Sequence, residues 1–155
     1  MNKVKKEKRM FAYKSILCAT DFSQNCSQAF KRAAELARAY GAKLTLMHVV
    51  EYFPEQRSNE WIEREGEDPK DFEQRKAQEG LDKLAGQVDI DVDQEIRFTN
   101  QSAKHEIIRY ADEHGIDLIV VASHGQHGIL PEVGSTTHAL TYRAPCDVLV
   151  VRATE

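Results

Sequence analysis

The sequence predicts a single α/β domain in which a doubly wound, five-stranded parallel sheet carries helices on both faces. The first observation is that short apolar runs alternate along the chain with stretches whose apolar residues recur every three or four positions. The second is Leu118–Ala122, an almost fully apolar and mostly β-branched run, which is typical of a strand buried on both faces. Regular alternation of strands and helices indicates right-handed crossovers and parallel strands.

Short apolar runs and helix-boundary residues mark the first half of the domain. Ser15–Thr20 and Lys43–Val50 are the first two predicted strands. The helix between them is expected to begin at Ser23, a suitable N-cap, and to stop at Gly41. Asp21 places a carboxylate near the start of this helix, where the helix dipole favours negative charge.

The second half repeats the alternation. A helix is predicted over residues 71–85, and then apolar residues alternate with polar ones from Val88 to Phe98, which indicates a strand at or near an edge of the sheet. A helix over residues 103–114 precedes the central apolar run described above. A short helix over residues 136–143 and a strand over residues 147–152 complete the chain.

Composition and charge argue against several classes of protein. With 155 residues, 41% hydrophobic and 30% charged residues and a net charge of −4, the chain resembles an ordinary globular protein with no expected nucleic-acid or membrane partner. No apolar run approaches the roughly 20 residues that a membrane span requires. Three cysteines without a CxxC motif indicate free thiols and a cytoplasmic location.

Residues 1–10 are expected to form a disordered basic tail, and residues 11–155 are expected to form the domain.

A glycine-rich segment follows the central strand. Gly125 and Gly128 come first, and Gly134 and Ser135 then lead into the fourth predicted helix. Glycines let backbone N–H groups approach an anion, and a helix N-terminus adds unpaired donors, so the segment could hold phosphate. The alternative is that the glycines only permit a tight turn and that Ser135 is only an N-cap. Neither a Walker P-loop nor a dinucleotide fingerprint is present.

Two chain reversals are expected to meet at one crevice. Ligands of doubly wound sheets bind at the carboxyl ends of the strands, where the strand order reverses. If the first and fourth strands are neighbours at that point, Asp21 and Gly125 line the same crevice. Asp21 could accept hydrogen bonds from ribose hydroxyls, and the backbone of Val49 could bond an adenine edge. The alternative for Asp21 is a purely structural role at the start of the helix.

No catalytic set and no metal site is predicted. His124 and His127 are spaced like a weak metal pair, but no third ligand accompanies them at a useful spacing. No Ser/His/Asp or Cys/His set can be assembled from the sequence. The residues alone therefore give no support to hydrolase or transferase chemistry.

Several segments together resemble the universal stress protein family. The likeness covers residues 11–153 and is carried by Tyr13–Ser23, Leu46–Val50, Asp117–Gly125, Gly134-Ser135 and Arg143–Arg152. It implies a Rossmann-like sheet in the order 3-2-1-4-5, a cytoplasmic role in surviving stress, and a homodimer formed largely through the final strand, residues 147–152. An apolar terminal strand that would otherwise be an exposed edge independently favours the dimer.

The family's nucleotide motif is present in altered form. ATP-binding members carry Gly-2x-Gly-9x-Gly-Ser/Thr after the fourth strand; here Ala122 replaces the first glycine, Gly125 matches the second, and eight residues separate it from Gly134. The resemblance implies an ATP-binding regulatory module, with AMP or no nucleotide as alternatives, or else a dimeric interaction protein with a vestigial crevice. The candidate nucleotide-binding residues are Ala19, Thr20, Asp21, Val49, Ala122, Ser123, His124, Gly125, Gly128, Gly134, Ser135 and Thr136.

Overall fold

The strands and helices follow the predicted order. The structure is a computed structural model that describes residues 12–53, 68–123 and 135–152; the predicted tail lies outside these ranges. The elements are β1 (Ser15–Ala19), α1 (Cys26–Tyr40), β2 (Lys43–Glu51), α2 (Pro69–Ala85), β3 (Asp93–Thr99), α3 (Ala103–Glu113), β4 (Leu118–Ala122), α4 (Ser135–Arg143) and β5 (Asp147–Val151).

The five strands form one parallel sheet in the order β3-β2-β1-β4-β5. This confirms the predicted doubly wound α/β fold and its strand order. The order reverses between β1 and β4, which pair in parallel in the middle of the sheet. The middle of β1 is correspondingly buried, with Ile16 and Leu17 fully inaccessible to solvent.

The core consists of two apolar layers, one on each face of the sheet. One layer contains Phe30 of α1 and Leu81 of α2, and the other contains Ile107 of α3 and Leu140 of α4. Successive side chains of a strand point to opposite faces, and accordingly Ile16 joins the first layer while Leu17 joins the second. Helices therefore cover both faces, as the alternation predicted. In the described part of the chain, none of these helices has the length and apolar character needed to cross a membrane.

The third strand begins later than the alternation predicted. β3 starts at Asp93, opposite Thr45 of β2, whereas residues 88–90 form a bend. Val88 and Ile90 nevertheless pack against the first core layer. The alternation arises because these side chains pack into the core from a connecting segment. Sequence periodicity cannot distinguish such a segment from a strand. The predicted edge position of this strand is confirmed.

The first helix also begins later than predicted. Its N-cap is Asn25, not Ser23, and the Asn25 side chain makes no capping hydrogen bond. The reason is the preceding turn, in which Phe22 has a positive φ of 62° and the Ser23 N–H donates to Asp21 Oδ1. The predicted stop at Gly41 is confirmed, because this residue has a φ of 65° and its N–H donates back to the last turn.

Candidate functional site

The carboxyl ends of β1 and β4 lie side by side, as the crevice hypothesis requires. Cys18 of β1 pairs with Val120 of β4, and the strands end at Ala19 and Ala122. The segments after both strands therefore leave the same edge of the sheet at the point of strand reversal. His124, Gly125, Gly128 and Gly134 lie outside the described residues. Ser135 begins α4, and Thr136 is half-buried in its first turn.

The exposed carboxylate of Asp21 accepts hydrogen bonds from a backbone N–H and from a thiol. Its Oδ1 accepts from the Ser23 N–H at 3.0 Å and from the Cys26 thiol at 3.1 Å. The Cys26 sulfur also lies 3.3 Å from Ser23 Oγ. Asp21 is thus both a cap for the turn before α1 and an acceptor that solvent can reach.

Thr20 holds the turn after β1 together. Its N–H donates to Met47 O at 2.9 Å, its Oγ1 accepts from the Phe22 N–H at 3.0 Å, and its carbonyl oxygen lies 2.8 Å from His48 Nδ1. The side chain is buried. Thr20 therefore positions its neighbours through its backbone groups and through its hydroxyl oxygen, which accepts from Phe22.

An aromatic contact next to Asp21 was not anticipated from the sequence. The rings of Phe22 and His48 lie 4.3 Å apart between centroids. A Cβ atom at Gly80 of α2 would lie only 2.6 Å from the Phe22 ring, so the glycine allows the close approach. Burial lowers the pKa of His48 because it disfavours the imidazolium, while the Thr20 carbonyl acts in the opposite direction. No local sequence signal reports a positive φ at a phenylalanine.

The backbone of Val49 faces the β1 side of the sheet. Lys43 N–H donates to Lys14 O and Met47 O accepts from Thr20 N–H, so the odd-numbered residues of β2 turn their backbone groups towards β1. Continuing this alternation, the N–H and C=O of Val49 point towards the residues that follow β1. The predicted contact to an adenine edge would use these backbone groups.

The end of β4 is hydrogen-bonded to β5 and to α4. The Ser123 N–H donates to Val151 O of β5 at 2.9 Å, and Thr137 Oγ1 of α4 donates to Ala122 O at 2.9 Å. Ser123 is 3% exposed, and its hydroxyl has no hydrogen-bond partner among the described residues. This buried hydroxyl directly precedes the glycine-rich segment in the sequence. Thr137 was missed because the sequence cannot show which threonine of a helix faces a strand end.

A cavity of about 450 Å³ opens elsewhere, at the carboxyl ends of β2 and β3. Its lining includes neither Asp21 nor Ser123. It contains the buried carboxylate of Glu106, which accepts from Arg109 Nη2 at 2.9 Å. The residues that line it are Tyr52, Phe98, Thr99, Asn100, Gln101, His105, Glu106 and Arg109.

Metal-binding side chains do not gather in the described ranges. No group of three or more His, Cys, Asp or Glu side chains there is arranged to hold a metal ion. The pair singled out from the sequence, His124 and His127, lies outside them. The cysteines are free thiols, of which Cys18 and Cys26 are buried.

Comparison with known proteins decides the family. The model of the universal stress protein family matches residues 12–152. This chain belongs to the universal stress protein family. Universal stress protein A homolog 1 of Coxiella burnetii is 36% identical over 142 residues, which cover 90% of this chain and 96% of the relative.

Solved universal stress proteins share the fold. The universal stress protein UspA from Lactobacillus plantarum is 29% identical and superimposes with a TM-score of 0.62, covering 90% of this chain and 98% of its own. A universal stress protein solved in complex with cAMP is 24% identical, with a TM-score of 0.65 over 92% of this chain and 99% of its own. The latter similarity shows a common fold.

Proposed function

We propose that this universal stress protein binds an adenine nucleotide, foremost ATP, at the carboxyl ends of β1 and β4, and acts as a regulatory module in the stress response. The observation that carries the proposal is the pairing of β1 with β4 at the point of strand reversal. In doubly wound sheets this is where ligands bind.

The chemistry of the described residues fits an adenine nucleotide. Asp21 offers an exposed carboxylate that is suited to ribose hydroxyls, and the Val49 backbone offers a donor and an acceptor that are suited to a base edge. The buried hydroxyl of Ser123 has no hydrogen-bond partner among the described residues and is a donor that a ligand could use. In the proposal, the segment with Gly125, Gly128 and Gly134 supplies N–H groups for the phosphates.

Similarity to the cAMP-bound universal stress protein supports the choice of an adenine nucleotide. We assign the protein a binding role with slow ATP hydrolysis at most. A cytoplasmic location agrees with the free thiols of Cys18, Cys26 and Cys146. The proposed assembly is a homodimer formed through β5.

Calorimetric titration with ATP tests the proposal. We expect the wild-type protein to bind, and Asp21→Ala to weaken binding by about tenfold to a hundredfold, because hydrogen bonds to a charged group are lost. Asp112→Ala, an exposed aspartate on α3, is the matched control and should retain wild-type affinity. The absence of any heat at millimolar ATP would reject nucleotide binding.

Two departures from the family motif favour a second candidate, a dimeric interaction protein that binds no nucleotide. Ala122 adds a methyl group where the motif has glycine, and the spacing between Gly125 and Gly134 is one residue short. Mass spectrometry of the freshly purified, denatured protein separates the two candidates. Adenine nucleotide present at near-stoichiometric amounts excludes the second.

A further inference from the structure

The thiol of Cys26 lies against the carboxylate of Asp21. The sulfur is 3.1 Å from Asp21 Oδ1 and 3.3 Å from Ser23 Oγ, and the Ser23 N–H donates to the same carboxylate oxygen at 3.0 Å. Cys26 is the first residue of α1 and is 4% exposed, whereas Asp21 is exposed.

The direction of these hydrogen bonds follows from the groups involved. An ionised carboxylate only accepts, and a thiol carries a single proton. The Cys26 S–H therefore donates to Asp21 Oδ1, and the Ser23 O–H is the group that donates to the sulfur. The result is a short series of hydrogen bonds that runs from Ser23 through Cys26 to Asp21.

This series of hydrogen bonds connects an exposed carboxylate to the core. Cys26 belongs to the same helix as Ala29 and Phe30, which are almost completely buried. An exposed aspartate normally samples several rotamers. Binding a ligand therefore costs the side-chain entropy that is lost when one rotamer is fixed. Two donors directed at one oxygen restrict the carboxylate before any ligand arrives.

We propose that Cys26 is a positioning residue, whose thiol holds the Asp21 carboxylate in the orientation that accepts the ribose hydroxyls of the bound nucleotide. This inference rests on the proposed function and adds a residue that the nucleotide does not touch. The simpler alternative is that Cys26 only fills space at the start of α1. The two differ in whether removing the S–H donor affects ribose recognition specifically.

Titrations of Cys26→Ala with ATP and with 2′,3′-dideoxyATP make this distinction. Alanine fills a buried helical position but cannot donate, so we expect ATP affinity to fall about threefold to tenfold. Affinity for the dideoxy analogue, which lacks the hydroxyls that Asp21 would accept from, should stay unchanged. Cys26→Ser restores a donor and should recover most of the ATP affinity. Cys146→Ala, at a half-buried thiol just before β5, is the control for removal of a cysteine.

The contact can also be measured without a nucleotide. The infrared S–H stretching band that disappears in Cys26→Ala should shift in Asp21→Asn, because a weaker acceptor then receives the thiol proton. An unchanged band in Asp21→Asn overturns the inference. Equal losses for ATP and the dideoxy analogue, or no loss for either, also overturn it. If the wild-type protein binds no ATP, the proposed function itself fails, whereas ATP binding that Cys26→Ala leaves unchanged removes only the role of Cys26.

Discussion

Phe22 has a backbone conformation that side chains with a Cβ rarely adopt. A φ of 62° costs roughly 1–2 kcal/mol for a residue other than glycine. Neighbouring contacts offset this cost, because the Phe22 N–H donates to Thr20 Oγ1 and the ring packs between His48 and Gly80. The turn that presents Asp21 therefore depends on one aromatic ring and on the space that a glycine leaves for it.

We predict that Gly80→Ala destabilises the protein, although alanine is normally the better helix former by about 1 kcal/mol. The new Cβ would lie 2.6 Å from the Phe22 ring, and forcing the two apart should leave a net loss of about 1–2 kcal/mol. Urea unfolding measures this loss. Gly86→Ala, at the C-cap of α2 with an ordinary φ of −67°, is the matched control and should change little. A stabilised Gly80→Ala variant would contradict the packing described here.

The lowered pKa of His48 predicts that stability depends on pH. Its pKa in the folded state is lowered, so below about pH 6.5 the unfolded chain binds more protons than the folded one. Stability due to neutral His48 is thus present above the unfolded-state pKa and is lost as the pH falls towards the folded-state pKa. We expect denaturant unfolding of His48→Gln to show a flatter dependence on pH between about 5 and 7 than the wild type. His138→Gln, at an exposed position on α4, is the control for loss of an imidazole; an unchanged slope in His48→Gln would contradict the prediction.

Helix α4 is hydrogen-bonded to the sheet beside the candidate site. The Thr137 side chain, 6% exposed, donates to the last carbonyl of β4, that of Ala122. Thr141 lies one turn later and donates within its own helix to His138 O, on the exposed side. The two threonines of one helix therefore make hydrogen bonds of different structural importance.

We expect Thr137→Val to lower the free energy of unfolding by about 1–2 kcal/mol, because a half-buried carbonyl loses its donor while the volume is nearly conserved. Thr141→Val should stay within about 0.5 kcal/mol of wild type, as is usual for surface changes. Chemical denaturation of both variants measures the difference. Equal effects would show that the link between α4 and β4 contributes nothing specific.

The strands and helices could be predicted because their burial produces a regular spacing of apolar residues in the sequence. The apolar runs of β1 and β4 and the position of Asp21 just after β1 followed from that pattern. The start of β3 did not, because Val88 and Ile90 alternate like strand residues while packing from a bend. Tertiary contacts could not be predicted either. The Cys26 thiol meets Asp21 across a turn in which Phe22 has a positive φ, and the Phe22 ring packs against Gly80, which is far away in the sequence.

β5 is an edge strand of the sheet, and its last four residues are apolar. Val151 O accepts from Ser123 N–H, so the odd-numbered residues of β5 face β4 and the N–H of Val150 points away from the sheet. Among the described residues, no strand pairs with this outward backbone. The proposed homodimer uses it.

Light scattering should therefore give a molar mass of twice the 17.6 kDa of one chain. Val150→Pro removes the outward N–H without breaking the ladder to β4, and we expect it to yield a folded monomer. Gln94→Pro makes the same change on β3, where Thr99 O faces β2 and the even-numbered residues face outward. This control should remain dimeric. A wild-type protein with the mass of one chain would rule out the dimer.

The opposite edge of the sheet is chemically different. β3 carries Asp93, which pairs with Lys43 of β2 at 3.3 Å, and also Glu95 and Arg97, whose charged atoms lie 3.0 Å apart. Charged side chains of this kind discourage an edge from recruiting further strands. In the proposed dimer, in which two copies join through β5, the outer edges of the described sheet are the two β3 strands with these charged residues. Growth would then end at two subunits, and the sheet could not extend into a filament.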